Sequence, residues 1–350
     1  MNSKRKSVLL LAIFLISTAA VAATQPVVVL IATGGTIAMK IDPIKKAPVP
    51  AISGEDLLAT VPEVAKYATM EVNNISNVPS GYMDPTRWVA LSKEVNRTLA
   101  RPDVAGVIIS HGTDTLEETA WWLDLTADTD KPIVLIGAQR NASESDFDGP
   151  RNLLNAVRIC IDPQSKGKGA MLVMNNQINA ARDVTKTHTS SVETFKSGDW
   201  GFLGVVDFDR IIYSRSPLRR QHVPIKAETM PYVEIISVYG GNDGYLVKAA
   251  VDHGAKGVVV QALGWGNVNP ATSAAIKEIM GKGIPVVITT RVPNGRVLPN
   301  YGYEGGGKVL ADAGAVMADD LSSQKARILL MLLLQNGVQG QKNLQAAFSR

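Results

Sequence analysis

Residues 27–39 have the sequence VVVLIATGGTIAM, which predicts a central strand and the turn that follows it. The β-branched and aliphatic run at the start is typical of a strand buried on both faces of a parallel sheet. Gly34 and Gly35 end the run, because glycine lets the backbone turn sharply and lets a ligand come close. Thr36 is therefore expected at the carboxyl end of the strand, the edge where open α/β sheets bind ligands. Two interpretations of Thr36 remain open: it is a nucleophile, or it caps the next element.

Buried strands alternate with helices along the rest of the chain. Further strands are predicted in its first part, at residues 104–110, 132–137 and 170–174. Others are predicted in its last part, at residues 232–238, 257–261 and 285–289. The pattern predicts an α/β fold with a doubly wound parallel sheet and a second, smaller α/β unit. We expect an N-terminal domain at residues 24–214, a polar, proline-rich linker at residues 215–231 and a C-terminal domain at residues 232–350.

The first 23 residues have the features of a secretory signal. Three basic residues at positions 4–6 precede an apolar run at residues 8–16, and small residues follow at positions 20–22. The alternative is a membrane anchor, but the apolar run is short for a membrane span and no second run follows it. We therefore expect cleavage after Ala22 or Ala23, a periplasmic or secreted protein, and no membrane association after cleavage.

Composition and charge exclude several classes of partner. The chain has 350 residues, of which 45% are hydrophobic and 19% charged, as in ordinary folded proteins. Removal of the signal would lower the formal net charge from +4 to +1, and no stripe of basic and aromatic residues is present, so we expect no nucleic-acid partner. Cys160 lies in an apolar helical pattern and is predicted to be a core residue. The four histidines have no ligand-like spacing, so we expect no metal and no cofactor.

A second strand-to-helix corner follows the strand at residues 104–110. The sequence there is HGTDT at residues 111–115, and Thr115 and Glu118 have the spacing of a capping box. This spacing predicts that a helix begins at the corner. Thr113 and Asp114 would then lie near a helix N-terminus, an environment that favours developing negative charge.

The two corners are expected to share one crevice, because the carboxyl ends of parallel strands meet at one edge of a sheet. The crevice could hold Thr36, Thr113 and Asp114, together with Lys186 from the stretch RDVTKT at residues 182–187. A threonine hydroxyl needs a base, and a desolvated lysine can accept its proton through a second hydroxyl. Structural interpretations also exist: a corner residue for Thr113, a helix-start charge for Asp114 and a solvated lysine for Lys186.

Taken together, three stretches resemble the bacterial L-asparaginases of the exported, type II kind: ATGGTIA at residues 32–38, HGTDTLEETA at 111–120 and RDVTKT at 182–187. Shorter similarities occur at residues 148–150 and 291–293, and the resemblance extends from residue 26 to the C-terminus. It implies a large flavodoxin-like N-terminal domain, a smaller C-terminal domain, and a homotetramer, a dimer of intimate dimers, with active sites between paired subunits. It also implies hydrolysis of the side-chain amide of asparagine, often of glutamine too, through an acyl-enzyme.

The resemblance also assigns roles position by position. Thr36 matches the family nucleophile, and Ser80 matches the serine that binds the α-carboxylate of the substrate. Asn267 matches a residue that the neighbouring subunit contributes to the site. The second catalytic group is matched by Thr113, Asp114 and Lys186.

The chain departs from the family at three places. No tyrosine occurs between Thr36 and Tyr67, so the tyrosine of the family's lid has no counterpart in the loop predicted at residues 40–50. Gly81 replaces the Gln or Glu that binds the substrate's α-amino group, and glycine offers no side chain. The partner-subunit Glu of the family would fall near Gly302, whereas the nearest acid is Glu304.

Two linked hypotheses follow from these departures. Tyr301 or Tyr303 supplies the phenol that the lid lacks. Glu304 pairs with the substrate's α-ammonium group from across a subunit interface. Both would preserve the chemistry with relocated residues.

Other functions remain as alternatives. A two-domain exported α/β protein could be a solute-binding protein, which needs no nucleophile. A dinucleotide site is conceivable because Gly34 and Gly35 follow a strand, but the third glycine of that motif is missing. The strongest alternative is a family member that binds amino acids without hydrolysing them, or acts on another amide, because its amino-group subsite is altered at Gly81.

Overall fold

The computed structural model describes residues 25–350, and two sheets organise this part of the chain. The signal predicted at residues 1–23 lies outside the described residues. No helix within residues 25–350 is both long enough and apolar enough to cross a membrane. The strands are β1 (Val27–Gly34), β2 (Met39–Asp42), β3 (Ala47–Pro50), β4 (Thr69–Val78), β5 (Val104–Ser110), β6 (Ile133–Ile136), β7 (Ala170–Met174), β8 (Gln177–Ala180), β9 (Thr185–Lys186), β10 (Phe195–Lys196), β11 (Gly204–Val206), β12 (Ile211–Tyr213), β13 (Val233–Ser237), β14 (Gly257–Ala262), β15 (Val286–Thr290) and β16 (Val316–Met317). The helices are α1 (Gly54–Ala59), α2 (Pro85–Leu99), α3 (Leu116–Thr126), α4 (Gly149–Ile161), α5 (Tyr245–Asp252), α6 (Pro270–Gly281), α7 (Gly307–Asp312), α8 (Ser323–Gln335) and α9 (Gln341–Phe348).

The larger sheet has eight strands in the order β12-β11-β8-β7-β6-β5-β1-β4. Strand β1 pairs in parallel with β4 and with β5, and the parallel run continues through β6 to β7. Strands β8, β11 and β12 extend the β7 edge in antiparallel pairs. The carboxyl ends of β4, β1, β5 and β6 therefore meet at one edge, as the sequence predicts for the two corners.

Both faces of β1 are covered by helices. Val28 and Leu30 pack into one core with residues of α1 and α4, whereas Val29 and Ile31 pack into a second core with residues of α2 and α3. Burial of one such aliphatic side chain stabilises a fold by about 1.5–3 kcal/mol. The unbroken aliphatic run is therefore the sequence of a strand with no exposed face.

The smaller sheet contains the parallel strands β13-β14-β15-β16. Helices α5 and α6 cover one face, and α8 contributes to the core on the other face together with residues of α3. The indole Nε1 of Trp121 in α3 donates a hydrogen bond to the carbonyl oxygen of Lys325 in α8, at 3.1 Å. Helix α8 thus lies between the two sheets, and the predicted fold class is confirmed.

Local predictions fail at two places. The Thr115 hydroxyl makes no capping hydrogen bond and instead donates to the carbonyl oxygen of Ser80, at 2.8 Å. Residues 40–50, predicted to be an irregular loop, fall largely within the hairpin of β2 and β3. Its turn is fixed because Oδ1 of Asp42 accepts the N–H groups of Ile44 and Lys45, at 2.8 and 2.7 Å.

Candidate active site

The first corner follows β1, where Gly34 and Gly35 have φ angles of 110° and 87°. Residues with a side chain rarely adopt such angles. A Cβ atom on Gly35 would lie 2.1 Å from the Cα atom of Gly112, so the backbones of the two corners touch. Thr36 is the first residue of a short 3₁₀ helix, and Gly35 occupies the cap position before it. The capping interpretation of Thr36 is therefore wrong, and Thr36 lies one residue from the contact between the corners.

At the second corner, three of the predicted site residues meet. The ammonium group of Lys186 donates hydrogen bonds to Oγ1 of Thr113, at 2.8 Å, and to Oδ1 of Asp114, at 2.7 Å. Thr113 is only 4% exposed, whereas the Asp114 side chain is 76% exposed. An exposed carboxylate gains little net stability from an ion pair. The bond to Asp114 therefore fixes the direction of the ammonium group more than it stabilises the fold.

A third strand end adds Ser80, which follows β4 and is buried. Its hydroxyl oxygen accepts the backbone N–H of Asp114, at 3.3 Å, and a Cβ atom on Gly112 would lie 2.7 Å from it. The next residue, Gly81, is exposed, and no atom lies within 4 Å of the point where its Cβ would be. A side chain at position 81 would therefore enter open space.

Gln139 lies after β6 and is a site residue that the sequence analysis missed. Its backbone N–H donates to Oδ1 of Asp148, at 3.0 Å, which ties it to the start of α4. The Thr113 hydroxyl faces Oε1 of Gln139 at 3.5 Å, the outer limit of a hydrogen bond. The Nε2 atom of Gln139 is buried and has no partner among the described residues. The available signal was its position just after a predicted buried strand.

His111 anchors the backbone of the second corner. Its Nδ1 lies 2.7 Å from the carbonyl oxygen of Gly112, and its Nε2 lies 3.0 Å from the Thr119 hydroxyl. Because a carbonyl only accepts, Nδ1 carries the hydrogen, and Nε2 accepts from Thr119. Thr119 in turn accepts from the indole of Trp88, at 2.8 Å. Complete burial lowers the pKa of His111 to about 4, so the imidazole is neutral at pH 7.

The backbone of Lys186 is bound by a buried carboxylate. Oε2 of Glu117, in the first turn of α3, accepts the N–H of Lys186 at 2.6 Å. Oε1 of Glu117 accepts the side-chain amide of Gln324, from α8, also at 2.6 Å. Glu117 therefore links the lysine backbone to a helix that belongs to the smaller sheet.

Lys325 binds the backbone of the same segment, four and two residues before Lys186. Its ammonium group donates to the carbonyl oxygens of Arg182 and Val184, at 2.9 and 2.5 Å. Complete burial lowers the pKa of Lys325 to about 8, although the nearby Glu117 carboxylate acts in the opposite direction. Both Lys325 and Glu117 were absent from the predicted site.

The residues assigned to the neighbouring subunit lie beyond the smaller sheet's strand ends. Oδ1 of Asn267 accepts the N–H of Gly307, at 3.0 Å. The Glu304 carboxylate accepts hydrogen bonds from Lys277, at 2.8 Å, and from Ser273, at 2.5 Å, and these lower its pKa. Within residues 25–350, no hydrogen bond joins Asn267 or Glu304 to the two corners.

Three exposed aromatic rings lie beside these residues. The ring centroids of Trp265 and Tyr301 are 5.7 Å apart, and those of Tyr301 and Tyr303 are 5.5 Å apart. Neither tyrosine reaches the corner of its own chain through a hydrogen bond among the described residues. In the same part of the chain, no cluster of three or more His, Cys, Asp or Glu side chains is arranged to hold a metal.

Comparisons with known proteins give one consistent result. The sequence model of the family described as Asparaginase, N-terminal, matches residues 27–219, and that of the Glutaminase/Asparaginase C-terminal domain matches residues 232–348. The chain is 39% identical to L-asparaginase 2 of Bacillus subtilis, over 93% of this chain and 86% of the relative. It is 36% identical to a protein of Haemophilus influenzae named probable L-asparaginase periplasmic, over 89% of this chain and 90% of the relative.

A solved structure agrees with the sequence relatives. The crystal structure of a probable cytoplasmic L-asparaginase from Campylobacter jejuni superposes with a TM-score of 0.84 at 33% identity. It covers 93% of this chain and 100% of the other. The predicted resemblance is thereby confirmed, and the chain belongs to the asparaginase family.

Proposed function

We propose that the protein hydrolyses the side-chain amide of L-asparagine to L-aspartate and ammonia, with Thr36 as the nucleophile. The observation that carries the proposal is the hydrogen bond between Lys186 and the buried Thr113, at the corner whose backbone touches that of Gly35, the residue before Thr36. Family membership supports the same chemistry. L-Glutamine is a second substrate to be tested, because the family resemblance includes glutaminases.

The reaction would proceed in two balanced halves. The Thr36 oxygen forms a bond to the amide carbon, and its proton passes through the Thr113 hydroxyl to the side-chain nitrogen of Lys186. The tetrahedral intermediate collapses, and the amide nitrogen takes up a proton and departs as ammonia. The aspartyl group remains bound to Thr36 as an ester. Water then attacks the ester carbon and gives a proton to the same relay. The relay returns this proton to the Thr36 oxygen as the ester bond breaks, which releases aspartate and restores the Thr36 hydroxyl.

The substrate's charged groups would be bound beside the corners. Ser80 lies where an α-carboxylate could accept its hydroxyl, and the exposed Asp114 carboxylate offers an acceptor to an α-ammonium group. Gly81 provides no side chain to bind that ammonium group, so its binding depends more strongly on the Asp114 carboxylate. This departure supports a weaker amino-group subsite than in the rest of the family.

We further propose a homotetramer, a dimer of intimate dimers, in which Asn267 and Glu304 of the partner subunit complete each site. Exposure of Tyr301 and Tyr303 beside these residues supports the proposal that one of them supplies the missing lid phenol. Glu304 can exchange its bond to Lys277 for one to the substrate's ammonium. An unchanged KM in Glu304→Gln would show that Glu304 does not bind the substrate's ammonium group.

For location, we propose export to the periplasm or medium after removal of residues 1–23. The Haemophilus influenzae relative is named periplasmic, whereas the Campylobacter jejuni relative is called cytoplasmic. We propose domain boundaries at residues 24–214 and 232–350, with a linker at 215–231. No cofactor, nucleic acid or membrane takes part in the proposed reaction.

Ammonia release tests the function. The mature protein is assayed with L-asparagine, L-glutamine and D-asparagine, with Thr36→Ala as the paired variant. Turnover of L-asparagine that disappears in Thr36→Ala is the expected result. A protein that hydrolyses none of the three, and whose melting temperature still rises with asparagine, would be the amino-acid binder suggested by Gly81.

A further inference from the structure

The strand that carries Lys186 is too short to fix the lysine by itself. Strand β9 has two residues and pairs with β10 over only those two positions. Such a ladder is marginal in water without further support. The N–H of Lys186 is bound by Glu117, so it takes no part in the pairing with β10. Just after Lys186, the N–H of Thr187 donates to the Thr194 carbonyl oxygen, at 2.8 Å. The position of Lys186 therefore depends also on what binds the backbone groups of residues 182–186.

Those groups are bound by charged and polar side chains from α3 and α8. The Glu117 carboxylate holds the N–H of Lys186, and the Lys325 ammonium group holds two carbonyl oxygens upstream. Both side chains are buried, so their hydrogen bonds do not compete with water and are strong. The segment is therefore clamped from both sides by opposite charges.

Gln324 connects the two halves of this clamp. It precedes Lys325 on α8, and its amide occupies the second oxygen of Glu117. Without it, a buried carboxylate oxygen would lose its partner, which is unfavourable for a charged group. The side chain of Glu117 would then turn toward a new donor, and the Lys186 backbone would move with it.

We propose that Glu117, Gln324 and Lys325 are positioning residues for Lys186, and that helix α8 thereby couples the smaller sheet to the Thr113–Lys186 pair of its own chain. The kinetic consequence rests on the proposed function. A misplacement of about 1 Å of a reacting group can lower a rate about 100-fold. Loosening the clamp should therefore lower kcat more than it changes KM.

The test compares two glutamines of the same helix. Gln324→Met removes the bond to Glu117, whereas Gln335→Met removes bonds from α8 to Lys226 and Ala227, away from Lys186. We expect Gln324→Met to lose more thermal stability than Gln335→Met, because the bonds of Gln335 are exposed to solvent. Only Gln324→Met should lower kcat, by about tenfold, with KM changed by less than about twofold.

Glu117 provides a conservative rescue. Glu117→Gln keeps an oxygen for the N–H of Lys186, and Gln324 can turn its amide so that its oxygen accepts from the new amide. Glu117→Ala leaves the N–H without an acceptor. We expect kcat close to that of the wild type in Glu117→Gln and a loss of about tenfold or more in Glu117→Ala.

A second readout does not need turnover. The rate at which acetic anhydride modifies Lys186, followed by mass spectrometry of its peptide, reports how firmly Thr113 and Asp114 hold the amine. We expect several-fold faster modification in Gln324→Met and no change in Gln335→Met. Equal kcat and equal modification rates in the two variants would overturn the clamp. A wild-type protein without activity would refute the proposed function, and the modification rates would still decide the clamp.

Discussion

Lys186 and Thr113 are 73 positions apart in the sequence, yet the ammonium nitrogen of Lys186 lies 2.8 Å from the Thr113 hydroxyl oxygen. Thr113 is buried, and the Lys186 side chain is only 17% exposed, so water has little access to the bond. A hydrogen bond is stronger electrostatically in such an environment than in water. In the proposed mechanism, this pair is the proton path for the Thr36 nucleophile.

Thr113→Val tests the relay. Valine keeps the shape of threonine and removes its hydroxyl, so the proton of Thr36 loses its path to Lys186. We expect kcat for L-asparagine to fall by about 10²- to 10⁴-fold, with KM changed by less than about threefold. Thr60→Val is the matched control, because its hydroxyl only donates to the Leu57 carbonyl. Equal kcat values in the two variants would refute the relay.

Gly81→Gln tests the altered amino-group subsite. No atom lies within 4 Å of the added Cβ, so the side chain should be accommodated without strain. The new side chain would accept a hydrogen bond from the α-ammonium group. We expect KM for L-asparagine to fall about tenfold, the change in affinity that one hydrogen bond to a charged group provides. Gly240→Gln serves as control, since that glycine also has open space around it. An unchanged KM would show that Gly81 does not face the substrate.

His111 should make stability depend on pH. Its pKa is about 4 in the folded protein, because the ring is buried, and 6.5 is its ordinary value. Between these values the unfolded chain binds a proton that the folded protein does not, so stability falls as pH decreases from about 6.5 to 4. The loss between pH 7 and pH 4.5 should be roughly 2–3 kcal/mol.

Urea unfolding at the two pH values measures this loss. His111→Asn removes the titrating imidazole and can still donate a hydrogen bond to the carbonyl oxygen of Gly112. Between the two pH values, its free energy of unfolding should therefore fall by roughly 2–3 kcal/mol less than that of the wild type. His222→Asn, at an exposed position, is the control for the loss of an imidazole. If all three proteins lost the same free energy of unfolding, the burial of a neutral His111 would not be the cause.

Tyr301→Phe and Tyr303→Phe test the relocated phenol. If one of these hydroxyls reaches Thr36 of the partner subunit, its removal should lower kcat by about tenfold or more. Tyr239→Phe is a control with an equally exposed phenol, 55% against 55% for Tyr303. Unchanged amide hydrolysis in both Tyr301→Phe and Tyr303→Phe would show that neither hydroxyl replaces the missing lid tyrosine.

The parts of the fold with strong local patterns could be predicted from the sequence. Strands β1 and β5 combine aliphatic runs with clear end signals, and their bounds agree closely with the prediction. The meeting of the two corners could also be predicted, because it follows from parallel strand topology. The residues alone left Lys186 open between the crevice and a solvated lysine, since its strand has only two residues.

The failures have two physical causes: contacts with residues distant in the sequence, and strands too short to carry a pattern. Thr115 has the spacing of a capping box, but its hydroxyl finds the Ser80 carbonyl at the end of another strand. Strands β8, β11 and β12 are three or four residues long and carry too little periodicity to be recognised. Glu117 and Lys325 gain their roles from contacts across 69 and 143 residues, which no local pattern encodes.

The most direct measurement is the mass of the enzyme during turnover. The mature protein is mixed with L-asparagine, quenched with acid within milliseconds, digested and analysed by mass spectrometry. The account predicts an aspartyl group esterified to Thr36, absent from Thr36→Ala, whose ammonia release is also abolished. An aspartyl adduct on a different residue, or a Thr36→Ala variant that still releases ammonia at the wild-type rate, would contradict it.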